Sequence, residues 1–182
     1  MLNSHLKFAP IRSNSAKRIP KALIYHQLKI PQDRFILFPT NKSEFGRIVI
    51  MECAKEFITR KDIGYTTSLC IDKLISTCHG KGYGTIMLDF AKNYSKKTGC
   101  NGLFHLFADG CYNPHRLPHI FYRKYGMSTI DHKIDKKLDK LIAKNKNATY
   151  KDFDTEQMFY PPIKHPESKL KQLINKIFKR LK

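Results

Sequence analysis

The segment His79-Gly80-Lys81-Gly82-Tyr83-Gly84-Thr85 carries the clearest chemical signal in the chain. Alternating glycines between a strand and a helix let backbone N–H groups converge on an anion with no Cβ in the way, and the helix N-terminus adds partial positive charge. Lys81 adds a full one. Such a loop suits a phosphate or pyrophosphate. It is not a dinucleotide fingerprint, because Met87 stands three residues after Gly84 where a further glycine belongs. Nor is it a P-loop, since no Gly-Lys-Ser/Thr closes it.

Other side chains bear on chemistry. Tyr122, in Phe121-Tyr122-Arg123-Lys124-Tyr125-Gly126-Met127, is read from its neighbours as a core aromatic beside Phe121. Asp72, on the run entering the glycine loop, and Glu52, on an earlier run, are candidate bases, with Glu52 more simply read as a surface carboxylate. Asp109 reads as a turn residue ending its strand. Cys111, His115 and His119 are spaced by four as on one helical face, but Pro114 and Pro118 disturb that face and no fourth ligand is evident, so no metal site is expected. His105, in an apolar run, reads as a hydrogen-bonded core histidine. Cys78 beside His79 invites a nucleophile reading, which yields to the loop.

These residues need a scaffold. Phe35 to Phe38, Arg47 to Glu52 and Glu56 to Thr59 are short β-prone runs, separated by Pro39, the polar stretch 41–46 and Lys55. Tyr65 to Ile75 is a further strand ending just before the glycines. Ile86, Met87, Phe90, Ala91 and Tyr94 then recur at helical spacing up to a stop at Gly99. Gly102 to Ala108 reads as a strand buried on both faces, and residues 115–125 as a short helix with Pro118 in its first turn. Residues 131–146 read as a lysine-rich helix, Met158 to Tyr160 as a last strand, and Leu170 to Leu181 as one face of a basic amphipathic helix. In residues 1–31, Ser13 to Ser15 open a candidate helix running through Ala22 to Tyr25. A meander followed by a strand, helix, strand unit predicts an α/β fold with a mixed, mostly antiparallel central sheet and flanking helices.

With both segments in view, the chain resembles the GNAT family of acyl-coenzyme A N-acetyltransferases over roughly residues 35 to 130. The resemblance rests on the R/Q-x-x-G-x-G/A loop, here His79 to Gly84, and the F/L-Y-x-K-x-G-F segment, here Phe121 to Met127. It implies that His79, Gly80, Lys81, Gly82, Tyr83, Gly84 and Thr85 bind acetyl-CoA, with the N–H groups around Lys81 to Thr85 on its pyrophosphate, that the strand ending near Ser76 pairs with the pantetheine arm, and that Tyr122 protonates the departing thiolate. Asn113 is the candidate for the family's asparagine contact to the cofactor arm, because the family's own position falls on His115. The implied reaction is direct transfer of an acetyl group to a primary amine, with Asp72 as the candidate base. The alternative is a non-catalytic module of the same fold, binding RNA or ribosome through its basic surface.

Composition sets the outer bounds. In 182 residues, 41% of them hydrophobic, there is room for one core of ordinary size, so a single domain over 1–160 followed by a C-terminal helix over 161–182 is expected. Thirty-four Lys and Arg against fifteen Asp and Glu favour anionic partners and oppose the approach of a polycationic acceptor. A protein amine, an amino-acid or sugar amine, or the aminoacyl group of charged tRNA suits that field better. Five scattered cysteines without a CxxC pair indicate free thiols in a reducing compartment. With no apolar run long enough to span a bilayer, a cytoplasmic protein is expected.

Overall fold

The structure is a computed structural model, and it describes residues 22–40, 43, 46–77, 79–110, 117–145 and 153–164. The expectations for Ser13 to Ser15, Cys78, Cys111, Asn113, His115 and the C-terminal amphipathic helix fall outside these residues. Among the described residues seven strands form one sheet in the order β1-β2-β3-β4-β5-β7-β6. They are β1 (Ala22–Lys29), β2 (Gln32–Pro39), β3 (Val49–Arg60), β4 (Gly64–Ser76), β5 (Phe104–Ala108), β6 (Ser128–Thr129) and β7 (Glu156–Tyr160). Only β4 and β5 pair in parallel; every other neighbour is antiparallel. Three helices among the described residues accompany them: α1 (Tyr83–Lys97) between β4 and β5, α2 (Pro118–Tyr125) between β5 and β6, and α3 (His132–Ala143) between β6 and β7. The expected α/β class with a mixed, mostly antiparallel sheet is what is found.

Three expectations about elements change. Ala22 to Tyr25 is strand, not helix: Ile24 and Tyr25 favour extended backbone, and the segment pairs residue by residue with β2 in a tight hairpin from Ala22↔Pro39 to Lys29↔Gln32. The runs 47–52 and 56–59 are parts of one strand, because Lys55 merely points to solvent and leaves the ladder intact. What interrupts the ladder is a bulge. Glu52 pairs with Lys73 and Cys53 with Ile71, so Asp72 has no register partner on β3. Finally, β5 is buried on both faces only over Phe104, His105 and Leu106; Phe107 is 58% exposed. The short β6 was not foreseen.

The core lies on one side of the sheet. Phe35 and Leu37 of β2, Met51 of β3, Leu69 and Ile71 of β4 and Phe104 of β5 alternate inward toward Tyr83, Met87, Leu88, Phe90 and Ala91 of α1. Phe35 packs on Phe90 and Tyr94 with ring centroids 4.7 and 4.8 Å apart. On the same side Tyr125 of α2 meets the rings of Phe104 and Tyr160. α1 ends where Gly99 takes a left-handed φ of +85°, and Lys96 and Lys97 complement the negative end of its dipole. Pro118 opens α2, where its missing N–H costs nothing. Asp131 caps α3 by accepting from the Lys133 N–H at 2.8 Å.

Candidate functional site

The β4–β5 ladder is short. It runs over Leu69↔Phe104, Cys70↔His105 and Ile71↔Leu106, while β4 continues along β3 to Ser76 and β5 continues along β7 to Ala108. Past Ile71 and Leu106 the two parallel strands therefore part company. Residues 72–75 of β4 have no β5 partner among the described residues, and the C-terminal ends of both strands border a notch in the sheet. In mixed α/β sheets such a crevice beyond the carboxyl ends of parallel strands is a common ligand site.

The glycine loop leaves β4 at this notch. Gly80 and Gly82 adopt φ of +72° and +83°, which a side chain would strain, and a Cβ at either would meet nothing within 4 Å. The loop is thus folded by glycine conformation and open above. Gly82 is the N-cap of α1, offers no side-chain cap, and no acid sits in the first helical turn. Its carbonyl accepts from Ile86 N–H at 3.1 Å, while the earliest N–H groups of the helix find no intrahelical acceptor. His79, Lys81 and Thr85 are exposed around that positive end. Backbone donors, dipole and open space together make an anion cradle.

Tyr83 and Gly84 have other duties. The Tyr83 ring is buried in the core, so its side chain anchors the loop and only its backbone can serve a ligand. Gly84 has ordinary helical φ, but a Cβ there would lie 3.0 Å from the Phe121 ring. Its lack of a side chain lets α2 close onto the start of α1. Tyr122, next to Phe121, is 7% exposed and belongs to the core cluster on the helix side. Burial pushes its phenol up to about 12. At neutral pH it is a proton donor, not a base.

Asp72 lies on the opposite side of the sheet. Its carboxylate accepts from Gln32 Nε2 at 2.8 Å and from the Cys70 thiol at 3.3 Å, and it is exposed. Tyr122 and Asp72 thus flank the sheet from its two faces. Glu52 is not a surface carboxylate. It is buried against its register partner Arg34, whose Nε donates to it at 2.7 Å and whose Nη2 contacts the same oxygen. A carboxylate neutralised in this way is a poor base.

The same face holds a cluster that sequence spacing did not reveal. Ser68, Cys70 and His105 are buried on it, and Glu56, paired with Ser68, stands 48% exposed at its rim by side chain. His105 Nδ1 lies 2.9 Å from Ser68 Oγ, while Nε2 lies 3.4 Å from Glu56 Oε2, near enough for attraction but not aligned as a hydrogen bond. Burial lowers the affinity of His105 for a proton, partly offset by Glu56, and burial together with Asp72 raises the Cys70 thiol far above its ordinary range. His105 is therefore a buried histidine with only one ring nitrogen hydrogen-bonded. His119 is in the same position: it packs on Phe153 and hydrogen-bonds the Asp154 carbonyl through Nε2 at 3.1 Å, while its buried Nδ1 has no hydrogen-bond partner.

A separate surface pocket of about 380 Å³ is lined by Arg123, Ser128, His132, Asp135, Asp139 and Ile163 among others. None of the site residues expected from the sequence lines it, and Arg123 there is occupied by Asp139 at 2.8 Å through both Nε and Nη2. No helix among the described residues is long and apolar enough to cross a membrane. Compared with family models, curated proteins and solved structures, the chain finds no significant match.

Proposed function

We propose that the chain is an acetyl-CoA-dependent N-acetyltransferase of the GNAT type, acting on a primary amine. The observation that carries the proposal is the parting of β4 and β5 beside an uncapped, glycine-built helix start. A pantetheine arm carries amides that hydrogen-bond as peptide groups do, so residues 72–75 of β4 offer it a strand edge. The pyrophosphate then meets the N–H groups at the head of α1, with Lys81 and His79 around it. The two glycines at positive φ and the space above them fit that group.

An arm lying in the plane of the sheet leaves one face to each partner in the reaction. On one side Tyr122, protonated well above neutral pH, can give its proton to the leaving sulfur. On the other, the exposed Asp72 can take a proton from the incoming ammonium group, directly or through water. The ammonium first gives one proton to Asp72; the freed amine nitrogen then forms the C–N bond, the C–S bond breaks as Tyr122 gives its proton to sulfur, and the second proton on nitrogen leaves to water. Proton exchange with solvent resets both side chains. No acyl-enzyme is needed, in keeping with a Cys70 thiol held protonated. Among the described residues β1 and β2 form a tight hairpin at one edge of the sheet, from Ala22↔Pro39 to Lys29↔Gln32. The basic charge favours a protein amine, a small amino-acid or sugar amine, or charged tRNA over a polycation.

Calorimetric titration with acetyl-CoA, followed by thiol release with a panel of amines and charged tRNA, tests the proposal. Tyr122→Phe is expected to lower kcat by about 10²-fold while leaving acetyl-CoA affinity within a few-fold. Failure of the wild type to bind any acyl-CoA would overturn the enzyme reading. Unchanged transfer by Tyr122→Phe at all pH values would overturn the assignment of the acid. Acyl-CoA binding without transfer to any acceptor, with salt-sensitive RNA binding, would favour the non-catalytic module.

A further inference from the structure

We propose that Glu56, Cys70 and His105 form a binding site for a thiophilic divalent cation, with Zn²⁺ as the natural occupant. The three residues come from three adjacent strands, β3, β4 and β5, and their ligating atoms all lie within 4.8 Å of one another. Tetrahedral zinc with nitrogen, sulfur and oxygen donors holds neighbouring ligand atoms roughly 3.3–3.8 Å apart. The His105 Nε2 to Glu56 Oε2 separation of 3.4 Å already falls in that range. Cys70 Sγ closes on them with a small side-chain adjustment, since Cys70 and His105 are register partners across the parallel ladder.

The histidine supplies an independent observation. His105 is fully buried, yet Nε2 has no hydrogen-bond partner, an arrangement that costs free energy unless something else satisfies the nitrogen. Its Nδ1 lies 2.9 Å from Ser68 Oγ. The tautomer in which Nδ1–H donates to the hydroxyl leaves Nε2 a bare lone pair, with Glu56 Oε2 3.4 Å away and the Cys70 sulfur within 4.8 Å. This is how metal-bound imidazoles are held: one nitrogen fixed by an outer hydrogen bond, the other on the ion. Ser68 is thus a positioning residue.

The donor set also selects the ion. One thiolate, one imidazole and one carboxylate suit zinc or cobalt, whereas magnesium and calcium require oxygen ligands throughout. Binding converts the Cys70 thiol to thiolate and releases one proton per ion. Before binding, the thiol donates to Asp72 Oδ1 at 3.3 Å. Three protein ligands leave a fourth position, and with Glu56 half-exposed it opens toward solvent, where water fills it. The site does not depend on the acyl-transfer proposal.

The experiment is a chelator-competition titration of the full chain with Zn²⁺, and with Co²⁺ as a spectroscopic probe. One equivalent is expected to bind at about micromolar affinity or tighter, with one proton released. Co²⁺ is expected to show a thiolate charge-transfer band in the near ultraviolet. Cys70→Ser is expected to abolish that band, and Glu56→Gln, at the exposed rim where folding is least at risk, to weaken Zn²⁺ binding at least about tenfold. Ser68→Ala should weaken it about 10–100-fold. Absence of binding, or binding and a charge-transfer band that survive Glu56→Gln unchanged, would overturn the proposal. If Cys70→Ser does not fold, the Glu56→Gln titration alone decides.

Discussion

Phe35, Met51, Leu69 and Phe104 turn toward α1 and meet apolar side chains, whereas Glu52, Ser68, Cys70 and His105, each adjacent in sequence to one of the strands' inward residues, are buried on the opposite side, where each meets a polar partner and His105 also stacks on Phe159. Burial on both sides hides unequal energetics. On the helix side the stabilisation comes from apolar area and close packing, so each lost methylene costs something and no distant change restores it. On the other side it is conditional on partners: Arg34 for Glu52, Ser68 for His105, Asp62 for Arg60. A group that keeps its partner contributes little net, and one that loses it costs the full desolvation penalty. Each side keeps one buried imidazole nitrogen without a hydrogen-bond partner, His105 Nε2 here and His119 Nδ1 on α2, but among the described residues only His105 stands with two further ligand-type side chains, Glu56 and Cys70.

The largest effect is expected on the helix side. Phe104→Ala removes a ring that lies 4.9 Å from Tyr160 and 6.2 Å from Tyr125, and should cost about 3–5 kcal/mol in urea unfolding. A loss below about 1 kcal/mol would break the contrast between the faces. Next comes Arg60, whose buried guanidinium donates to Asp62 at 3.0 and 2.7 Å and to the Pro161 carbonyl at 2.9 Å. Arg60→Met should cost about 2–3 kcal/mol, because it strands the carboxylate and the carbonyl. Adding Asp62→Asn should recover part of that loss. Strict additivity of the two substitutions in a double-mutant cycle would show that this face, too, is held by volume and not by pairing.

The two sides were not equally legible in the sequence. α1 and the glycine loop could be read because their signals are local: glycines at the positive φ positions, then apolar residues at helical spacing. Tyr122 could be singled out because it follows Phe121 in a recognisable segment. The polar face could not be read this way. Glu52 looked like a surface carboxylate because its neutralising partner, Arg34, is assigned by the β2–β3 register, and register is a property of pairing, not of composition. Glu56, Cys70 and His105 converge only once β3, β4 and β5 are aligned, and the metal reading of the sequence went instead to Cys111, His115 and His119, which are near in sequence. β1 was read as helix for the same reason, since its extended state is selected by its partner strand. Asp72 was picked for its place before the loop, but its placement at a bulge had no sequence signal.

Gly84 offers a finer test of how the helix side is packed. Alanine is favoured over glycine in a helix, by up to about 1 kcal/mol in the interior and less in the first turn where Gly84 sits, so Gly84→Ala would stabilise α1 slightly if space were free. It is not free: the new Cβ would stand 3.0 Å from the Phe121 ring. The overlap should outweigh the propensity gain and leave the variant less stable by about 1 kcal/mol. In a Phe121→Leu background the sign should reverse. If Gly84→Ala is stabilising in the native background, Phe121 yields readily and the α1–α2 contact is looser than it looks.

The smallest effect concerns His119, which is buried on α2 against Phe153 with Lys137 over the far ring at 4.4 Å. Burial lowers its proton affinity, opposed by its hydrogen bond to the Asp154 carbonyl and by the charge of Asp109. A histidine whose folded pKa lies below its unfolded value contributes stability that is present above the unfolded pKa, near 6.5, and lost as pH falls toward the folded one. Between pH 7 and pH 6 the loss is at most about 0.7 kcal/mol for one such group. Thermal unfolding at a series of pH values should show this slope in the wild type and a shallower one in His119→Gln, which keeps a donor for the Asp154 carbonyl but does not titrate. Parallel slopes in the two proteins would mean that His119 protonates in the folded state as readily as in the unfolded chain. The helix side would then admit water at α2, and the contrast between an apolar, sealed face and a polar, conditional one would fail at the helix that carries Tyr122.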